Sequence, residues 1–534
     1  MRRLALLLLA ALLAACAPSQ ASPTPPPPTA TPSVTAAPSP SLTPGPSPTT
    51  GEGGQARTPA PPLPAGAVLF YEREGRSLWA AAADGGSARA LTEPLRIAGG
   101  QSLLFPNIAP AQVGTPSPSA RTATLTWTPS PDGRSVAVIQ GETLVSAADA
   151  RPTVRLLVVD TQGRTRMQIS LLPDNTTGAD FNTTEKRALL ATLLLESPPA
   201  WSPDGSRLAI VSNHDGQPDV YIVNVADGKA ARVTQDAAVE LGLAWSPDGK
   251  WLAYQAVQGN TRALYAVRPD DGSKPSLLAQ GVTQPYVSAG GTLTYGALWI
   301  ASDTLIWPSK NPQAPGCGIA LRRITLDGKD DTLVCTPLTS PTGEMPALHW
   351  NAGRKRLAFV PPQGTGPTAG AAATPFPLLT PGAPFQGYWV YNTDEKKTGQ
   401  AVTTKVLSLA WPPNGALGIA YVGADGPNVT LVWRHDAADN KLLTLPADPA
   451  QADPVWAPDG KRLAFADRVV TTDGQEGTRL EGSRPAPVAW SAAGLLYTPD
   501  VGQQVSSLRL WDGANTRTAV ESLLPGSARV VPPQ

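Results

Sequence analysis

Short apolar runs separated by turn-forming residues recur along most of the chain. After Trp201, for example, the apolar runs 208–211 and 219–225 are followed by the hairpin signal Asp227-Gly228 and by the run 230–234. The intervening Ser-Pro-Asp-Gly sequence favours a type I β-turn, because proline suits its second position and glycine its fourth. These signals predict four strands joined by short connections within about 44 residues.

One ten-residue phrase occurs three times, as WSPDGSRLAI from Trp201, WSPDGKWLAY from Trp245 and WAPDGKRLAF from Trp456. Looser copies begin at Trp127, which has two extra residues before its turn, and at Trp299, Trp350, Trp411 and Trp490. The middle strands are apolar almost without alternation, which is typical of strands covered on both faces. Four strands per unit and a period in the forties, as in the 44 residues from Trp201 to Trp245, predict the blades of a β-propeller. The tryptophans and aspartates of the repeat are therefore expected to be structural.

The number of blades is counted from the tryptophans and the two ends of the repeat region. Eight units begin at a Trp, and residues 67–94 supply three strands of a ninth unit that lacks its first strand. We expect the C-terminal sequence SARVVPP, residues 527–533, to supply that strand and close the ring. Propellers usually have four to eight blades, and the unit from Trp456 is only 34 residues long. We therefore predict an all-β propeller of about eight four-stranded blades, with the short unit degenerate and seven blades as the alternative.

The phrase W-S-P-D-G-x-x-[IL]-A-[FY] resembles the TolB-type propeller repeat, which also occurs in the propeller domains of prolyl oligopeptidase-like peptidases. The resemblance covers most of residues 66–534, strongly at three copies and loosely at five. It implies a propeller fold for this region. The chain departs from TolB because no separate α/β domain precedes the propeller. The partnership of TolB with a peptidoglycan-associated lipoprotein is therefore not expected to carry over.

The N-terminus predicts export and a membrane anchor. Arg2 and Arg3 precede the short apolar run 4–13, which is typical of a signal peptide, predicted here over residues 1–15. The sequence Leu-Ala-Ala-Cys that ends at Cys16 resembles the bacterial lipobox, which implies that Cys16 becomes the lipidated first residue; an ordinary signal peptide is the alternative. Residues 16–65 are rich in Pro, Ser and Thr and are predicted to form a disordered tether. At about 3.1 Å per residue, an extended tether of this length reaches somewhat over 100 Å.

Charge and cysteine content exclude some functions. The net charge is 0, so no basic surface argues for nucleic-acid binding. Beyond Cys16 the chain has Cys317 and Cys335, which flank a predicted hairpin and are predicted to form a disulfide in an oxidising compartment. A metal site would need more ligands than two cysteines and three scattered histidines supply. No cofactor is expected.

No catalytic motif is present. The sequence has no G-x-S-x-G, H-E-x-x-H or G-x-x-x-x-G-K-[ST]. His214, His349 and His435 belong to different predicted blades and are expected to be structural or solvated. We therefore predict no catalytic residues and a protein that is not an enzyme.

Insertions mark the expected recognition surface. In a propeller, the strand one-to-two and three-to-four turns share one face, while the two-to-three loops and blade junctions share the other. Residues 95–123 and 171–200 are predicted to interrupt blade junctions, and residues 361–387 a two-to-three loop. Because binding surfaces are often loops on a rigid scaffold, we predict a lipid-anchored extracytoplasmic scaffold that binds a protein, peptide or envelope ligand on this face. The alternatives are a propeller enzyme with a channel-centred metal or hydrolytic site, and an accessory of a membrane sensor kinase.

Overall fold

The protein is an all-β structure built from four-stranded antiparallel blades. The computed structural model describes residues 61–73, 76–92, 122–142, 154–173, 175–176, 197–258, 261–283, 285–288, 292–310, 319–335, 346–360, 364–365, 384–385, 387–413, 418–447, 453–503 and 505–532. This part of the chain contains no α-helix, and therefore none that is long and apolar enough to cross a membrane.

The ring closes in blade 1, where strands from the two ends of the chain pair. The strands of the first three blades, in order from the first strand of each blade, are β41 (Arg529–Val531), β1 (Val68–Glu72), β2 (Leu78–Ala82) and β3 (Arg89–Ala90) in blade 1; β4 (Thr122–Pro129), β5 (Ser135–Glu142), β6 (Val154–Asp160) and β7 (Thr165–Ser170) in blade 2; β8 (Ala200–Trp201), β9 (Arg207–Ser212), β10 (Asp219–Asn224) and β11 (Ala230–Arg232) in blade 3. The C-terminal strand β41 pairs with β1, so the closure predicted from SARVVPP is confirmed.

Of the next three blades, blade 4 has four strands, and the sheets of blades 5 and 6 contain additional ones. Blade 4 contains β12 (Val239–Trp245), β13 (Leu252–Gln258), β14 (Thr261–Val267) and β15 (Ser276–Gln280); blade 5 contains β16 (Val282–Thr283), β19 (Leu298–Ala301), β20 (Thr304–Lys310), β21 (Ala320–Thr325) and β22 (Asp330–Cys335); blade 6 contains β23 (Ala347–Asn351), β24 (Arg356–Val360), β27 (Tyr388–Asn392) and β28 (Lys397–Val402). A short 3-10 turn, Ala352–Arg354, joins the first two strands of blade 6.

The last three blades complete the ring. Blade 7 contains β29 (Val406–Ala410), β30 (Ile419–Asp425), β31 (Asn428–His435) and β32 (Ala438–Pro446); blade 8 contains β33 (Val455–Trp456), β34 (Arg462–Phe465), β35 (Arg468–Thr471) and β36 (Glu476–Arg479); blade 9 contains β37 (Ala486–Ser491), β38 (Gly494–Thr498), β39 (Ser506–Trp511) and β40 (Thr516–Leu523).

The first strand of blade 5 is split by an excursion of the chain. Its two parts, β16 and β19, both pair with β20. Between them lie β17 (Tyr286–Ser288) and β18 (Thr292–Thr294), and β17 adds in parallel to β23, the first strand of blade 6. Tyr286 is 3% exposed and belongs to the apolar cluster between blades 5 and 6. The hairpin is therefore anchored beside the first strands of these two blades.

The core is divided among the blade junctions. One cluster of buried apolar side chains lies at each of the nine junctions, including the junction between blade 9 and blade 1. In blade 3, Leu208 and Ile210 of β9 face blade 2 while Ala209 faces blade 4. Both sides of the middle strands are thus buried, which explains their apolar runs.

The predicted number of blades was wrong. The ring has nine blades, neither eight nor seven, because every unit found in the sequence forms a sheet. The unit that begins at Trp456 is a complete blade of four short strands, although it was expected to be degenerate. Its shortness comes from connections reduced to two or a few residues, such as the two between β34 and β35.

Candidate functional site

The repeated tryptophans bind neighbouring blades together. Six of them donate the indole Nε1–H to a backbone carbonyl in the first strand of the preceding blade. The pairs are Trp201 to Thr128 (2.9 Å), Trp245 to Ala200 (3.0 Å), Trp299 to Ala244 (2.9 Å), Trp411 to His349 (2.9 Å), Trp456 to Ala410 (3.1 Å) and Trp490 to Val455 (3.2 Å). Since these contacts link successive first strands, those strands line the axis of the ring. The structural role predicted for these tryptophans follows from this geometry.

The Ser-Pro-Asp-Gly turns are closed by their own hydrogen bonds. In blade 3, Gly205 N–H donates to the Ser202 carbonyl at 2.9 Å, and the Ser202 hydroxyl donates to Asp204 at 2.5 Å. The hydrogen bond from Ser202 holds the pKa of Asp204 below its ordinary value. Gly205 adopts a φ of 70°, where a side chain would be strained. The polar groups of this turn are therefore satisfied locally.

Both kinds of tight turn lie on one face, as the sequence predicts. In blade 3, Val225 N–H, next to the three-to-four turn, donates to the Ser206 carbonyl in the one-to-two turn at 3.0 Å. The equivalent hydrogen bond joins Thr472 to Lys461 in blade 8 at 3.0 Å. We call this side the turn face, and the side with the two-to-three loops and blade junctions the variable face.

The insertions fall where they were expected. Residues 95–123 and 171–200 connect blade 1 to blade 2 and blade 2 to blade 3, and residues 361–387 connect the second and third strands of blade 6. The last of these leaves the blade through a short two-stranded ribbon, β25 (Gly364–Thr365) and β26 (Pro384–Phe385). Most of the three insertions lies outside the described residues.

The three histidines do not come together. His349 is 4% exposed on β23, and burial lowers its pKa to about 4, so it is neutral at physiological pH. His214 lies in the two-to-three loop of blade 3, and His435 lies at the end of β31 with Nδ1 3.1 Å from Asp436. Among the described residues, no group of three or more His, Cys, Asp and Glu side chains is arranged to hold a metal ion.

The predicted modification sites are only partly in view. Cys16 and Cys317 lie outside the described residues. Cys335 ends β22 and pairs in register with Ala320 of β21, so the predicted hairpin is present. The disulfide and the lipidation both stay predictions.

A group of acidic side chains at the junction of blades 3 and 4 is the strongest candidate site outside the insertions. We call it the acidic junction; it comprises Asp215, Asp219, Arg232, Asp236 and Glu240. Asp215 belongs to the two-to-three loop of blade 3, Asp219 begins β10, and Glu240 is the second residue of β12. These positions place the acidic junction at the variable face.

Arg232 holds two of the carboxylates. Its Nη2 donates to Asp219 at 2.5 Å, and its Nη1 lies 3.6 Å from Asp215. Asp219 has no exposed surface and also accepts a hydrogen bond from the Thr234 hydroxyl at 3.1 Å. Burial raises the pKa of Asp219, against the opposing charge of Arg232. The buried Asp219 carboxylate is therefore both paired with Arg232 and hydrogen-bonded, as a buried charge requires.

Glu240 is different because it has no such partner. Its side chain has no exposed surface, and neither carboxylate oxygen has a partner in good hydrogen-bond geometry among the described residues; the nearby Thr234 hydroxyl only partly opposes the rise in its pKa. Burial raises the pKa of Glu240 to about 8, and the nearby Asp236 and Asp219 carboxylates act in the same direction. At neutral pH most of this carboxyl is therefore protonated. Strongly perturbed acids mark functional-site candidates, but a fully enclosed side chain does not contact a substrate in this conformation.

Sequence reasoning missed the acidic junction. In the segment V-E-L-G-L-A-W, residues 239–245, Glu240 alternates with apolar neighbours and is expected to face solvent on an ordinary half-exposed strand. Stacking of blade 3 against blade 4 also buries the side of the strand that carries Glu240. A charged residue near the start of a predicted first strand was the only available signal.

The fold is a nine-bladed β-propeller, and the tryptophans of six of its W-S-P-D-G-type units each bind a backbone carbonyl of the preceding blade. Residues 175–296 match the family model described as the TolB beta propeller domain. The resemblance carried by the repeated phrase is thereby confirmed over these residues.

Several solved structures are similar to this chain at low sequence identity. TolB from Acinetobacter baumannii is 14% identical over 73% of this chain and 81% of its own, with a TM-score of 0.26. An oligogalacturonate lyase from Vibrio parahaemolyticus is 12% identical over 57% of this chain and 86% of its own, with a TM-score of 0.29. A eukaryotic initiation factor is 13% identical over 88% of this chain and 99% of its own, with a TM-score of 0.47. These neighbours include enzymes and proteins that are not enzymes, and their similarity does not decide between the two.

Proposed function

We propose that the protein is an extracytoplasmic binding scaffold, anchored to a bacterial membrane by a lipid on Cys16, which recognises a protein or peptide through its variable face. The proposal combines the predicted export signal, the lipobox resemblance and the propeller. A TolB-like propeller is consistent with a location outside the cytoplasm.

The difference between the two faces is the observation that carries the proposal. On the turn face, the polar groups of the repeated turns bind one another, as in the contacts of Ser202 with Asp204 and of Val225 with Ser206. The variable face carries the three insertions and the acidic junction. Uniform turns and varied loops on opposite sides of a rigid ring are typical of a scaffold that binds through the loops.

The chemistry of the site favours binding over catalysis. Glu240, whose pKa is strongly shifted, is enclosed, and His349 is buried in the ring. His214 belongs to blade 3 and His435 to blade 7, so the three histidines lie in three different blades. We therefore propose that this protein is not an enzyme and needs no cofactor. The neutral overall charge supports a partner other than nucleic acid.

A pull-down from crosslinked cell envelopes tests the proposed function. The full chain with Cys16 intact serves as bait, beside a variant in which residues 366–383 are replaced by a short Gly-Ser linker. This deletion keeps both pairs of the β25–β26 ribbon, Gly364 with Phe385 and Thr365 with Pro384. Lys250→Glu, an exposed change in the one-to-two turn of blade 4, is the matched control.

Recognition by the variable face predicts that the wild type and Lys250→Glu capture the same protein. The amount captured should fall several-fold with the deletion, or with Gln217→Arg in the two-to-three loop of blade 3. Equal capture by all of these chains would contradict it. Absence of any partner, together with stoichiometric bound metal in the purified protein, would instead favour a channel-centred enzyme.

A further inference from the structure

Both ends of the propeller chain lie at the same face of the ring. The first strand of every blade runs from the variable face to the turn face, because the one-to-two turn follows it. Strand β41 is the first strand of blade 1 and therefore ends at the turn face, where Val531 pairs with Val68 at the start of β1. The N-terminal segment thus enters the ring, and the C-terminal segment leaves it, on the turn face.

Contacts with the repeated turns agree with this direction. A Cβ placed on Gly133, in the Ser-Pro-Asp-Gly turn of blade 2, would lie 3.2 Å from Cγ1 of Val531 and 3.8 Å from Cγ2 of Val68. Ala83 N–H, beside the three-to-four turn of blade 1, donates to the Ala67 carbonyl at 3.1 Å. The point of entry therefore lies among the tight turns.

The residues just before β1 are held on blade 1. Leu63 packs against the apolar cluster between blades 1 and 2, and the Arg89 guanidinium donates to the Pro61 carbonyl. Arg89 begins the fourth strand of blade 1, directly after the three-to-four turn. Residues 61–67 consequently follow the turn-face side of this blade, and these contacts set the direction in which the tether approaches.

We infer that the protein presents its turn face to the membrane that carries the Cys16 lipid and its variable face away from that membrane, toward a protein partner on the far side. This inference rests on the proposed function, since it needs the lipid on Cys16. A seven-residue strand such as β12 spans about 23 Å at roughly 3.3 Å per residue. The acidic junction, at the start of β12, therefore lies about 20 Å from the turns that face the membrane.

Single-cysteine probes measure the orientation directly. Cys317 and Cys335 are replaced by Ser, and a fluorophore is attached either at Lys250→Cys on the turn face or at Gln217→Cys on the variable face; both native side chains are exposed. Each probe is placed in the full chain and in a chain that lacks residues 21–60, which leaves Cys16 only a few residues from Pro61. The lipidated proteins are inserted into vesicles whose lipid headgroups carry a quencher.

In the short-tether chain we expect the Lys250→Cys probe to be quenched several-fold more than the Gln217→Cys probe. The full chain should show a smaller difference in the same direction, because the longer tether lets the ring move farther from the lipids. A partner found in the pull-down should bind the short-tether chain as well as the full chain.

The outcomes separate the inference from the proposed function. Failure of the wild type to sediment with vesicles, with no difference from Cys16→Ser, would overturn both. Sedimentation with equal quenching at the two probes, or with stronger quenching at Gln217→Cys, would overturn the orientation and leave the anchored scaffold intact.

Discussion

The indole Nε1 of Trp127 donates a hydrogen bond to the Glu72 carboxylate at 2.7 Å, from blade 2 to blade 1. Six other repeat tryptophans bind a backbone carbonyl instead. Trp127 differs because it lies two residues earlier on its strand: Pro129 pairs with Val136 as Trp201 pairs with Leu208. The two residues inserted before the turn of blade 2 thus shift Trp127 along its strand, and its indole N–H binds Glu72 of blade 1, the blade that closes the ring.

Glu72 also contacts the chain that leaves blade 9. Its backbone N–H donates to the Ser527 hydroxyl at 3.1 Å, and its carbonyl accepts from Leu524 N–H at 2.8 Å. Its second carboxylate oxygen lies 3.2 Å from Arg76 Nε. Glu72 therefore connects blades 1, 2 and 9 at the point where the ring closes.

We expect Glu72→Ala to lower the free energy of unfolding by about 1–3 kcal/mol, because it removes a buried acceptor and leaves the Trp127 indole N–H without its partner. Thermal and urea unfolding measure the change. The control is Glu521→Ala, at an exposed position on β40, for which a change within about 0.5 kcal/mol is expected. Equal losses in the two variants would contradict a closing role for Glu72.

A second prediction concerns the interlocking tryptophans. We expect Trp245→Phe to destabilise the protein by about 1–2 kcal/mol beyond any packing loss, because the Ala200 carbonyl loses its donor. Trp251→Phe in the same blade is the matched control: Trp251 is half-buried and lies under the Arg268 guanidinium, 5.0 Å from its ring centroid. Comparable destabilisation by both substitutions, measured by thermal unfolding, would argue against the hydrogen bond.

The repeated phrase explains how much of the fold is accessible from sequence. It marks the tight turn and the second strand, so it correctly locates blades 3, 4 and 8, and the leftover sequence SARVVPP identifies the closing strand β41. The blade count failed because residues 456–490 looked too short for four strands, and length alone does not show that strands of two to four residues suffice there.

Features that depend on contacts between distant segments were not predictable. The parallel pairing of Val287 with Ala347 joins segments separated by most of blade 5, strands β19 to β22, and no local turn signal specifies it. The burial of Glu240 depends on stacking between two blades, whereas sequence periodicity describes one strand at a time.

Glu240 predicts a pH dependence of stability. Its pKa is about 8 in the folded protein against an ordinary value of 4.5, so between these values the folded state binds more protons than the unfolded state. Stability therefore falls as the pH rises from about 4.5 through 8, by up to a few kcal/mol. Glu240→Gln keeps a neutral side chain at every pH, and we expect its thermal midpoint to fall less over this range than that of the wild type.

Melting curves from pH 5 to pH 9 test this prediction. Glu481→Gln is the control, because the Glu481 side chain is 67% exposed and is paired only with Arg509 across the surface in the described structure. Parallel pH profiles for the wild type and Glu240→Gln would show that Glu240 does not titrate with a raised pKa.

The cysteines give the last prediction. Cys335 ends β22 opposite Ala320, and Cys317 precedes that residue by three positions, so a disulfide would close the β21–β22 hairpin. A loop of this length is expected to contribute about 3 kcal/mol, because the crosslink restricts the unfolded chain. We expect Cys335→Ser and Cys317→Ser to lower the melting temperature by equal amounts. The double variant should melt at the same temperature as either single variant, and a reducing agent should not lower the melting temperature of any of these variants further.

In non-reduced tryptic digests, cleavage after Arg322, Arg323 and Lys329 should leave two peptides joined through the cysteines. Unlinked peptides from protein secreted into an oxidising compartment would contradict the disulfide.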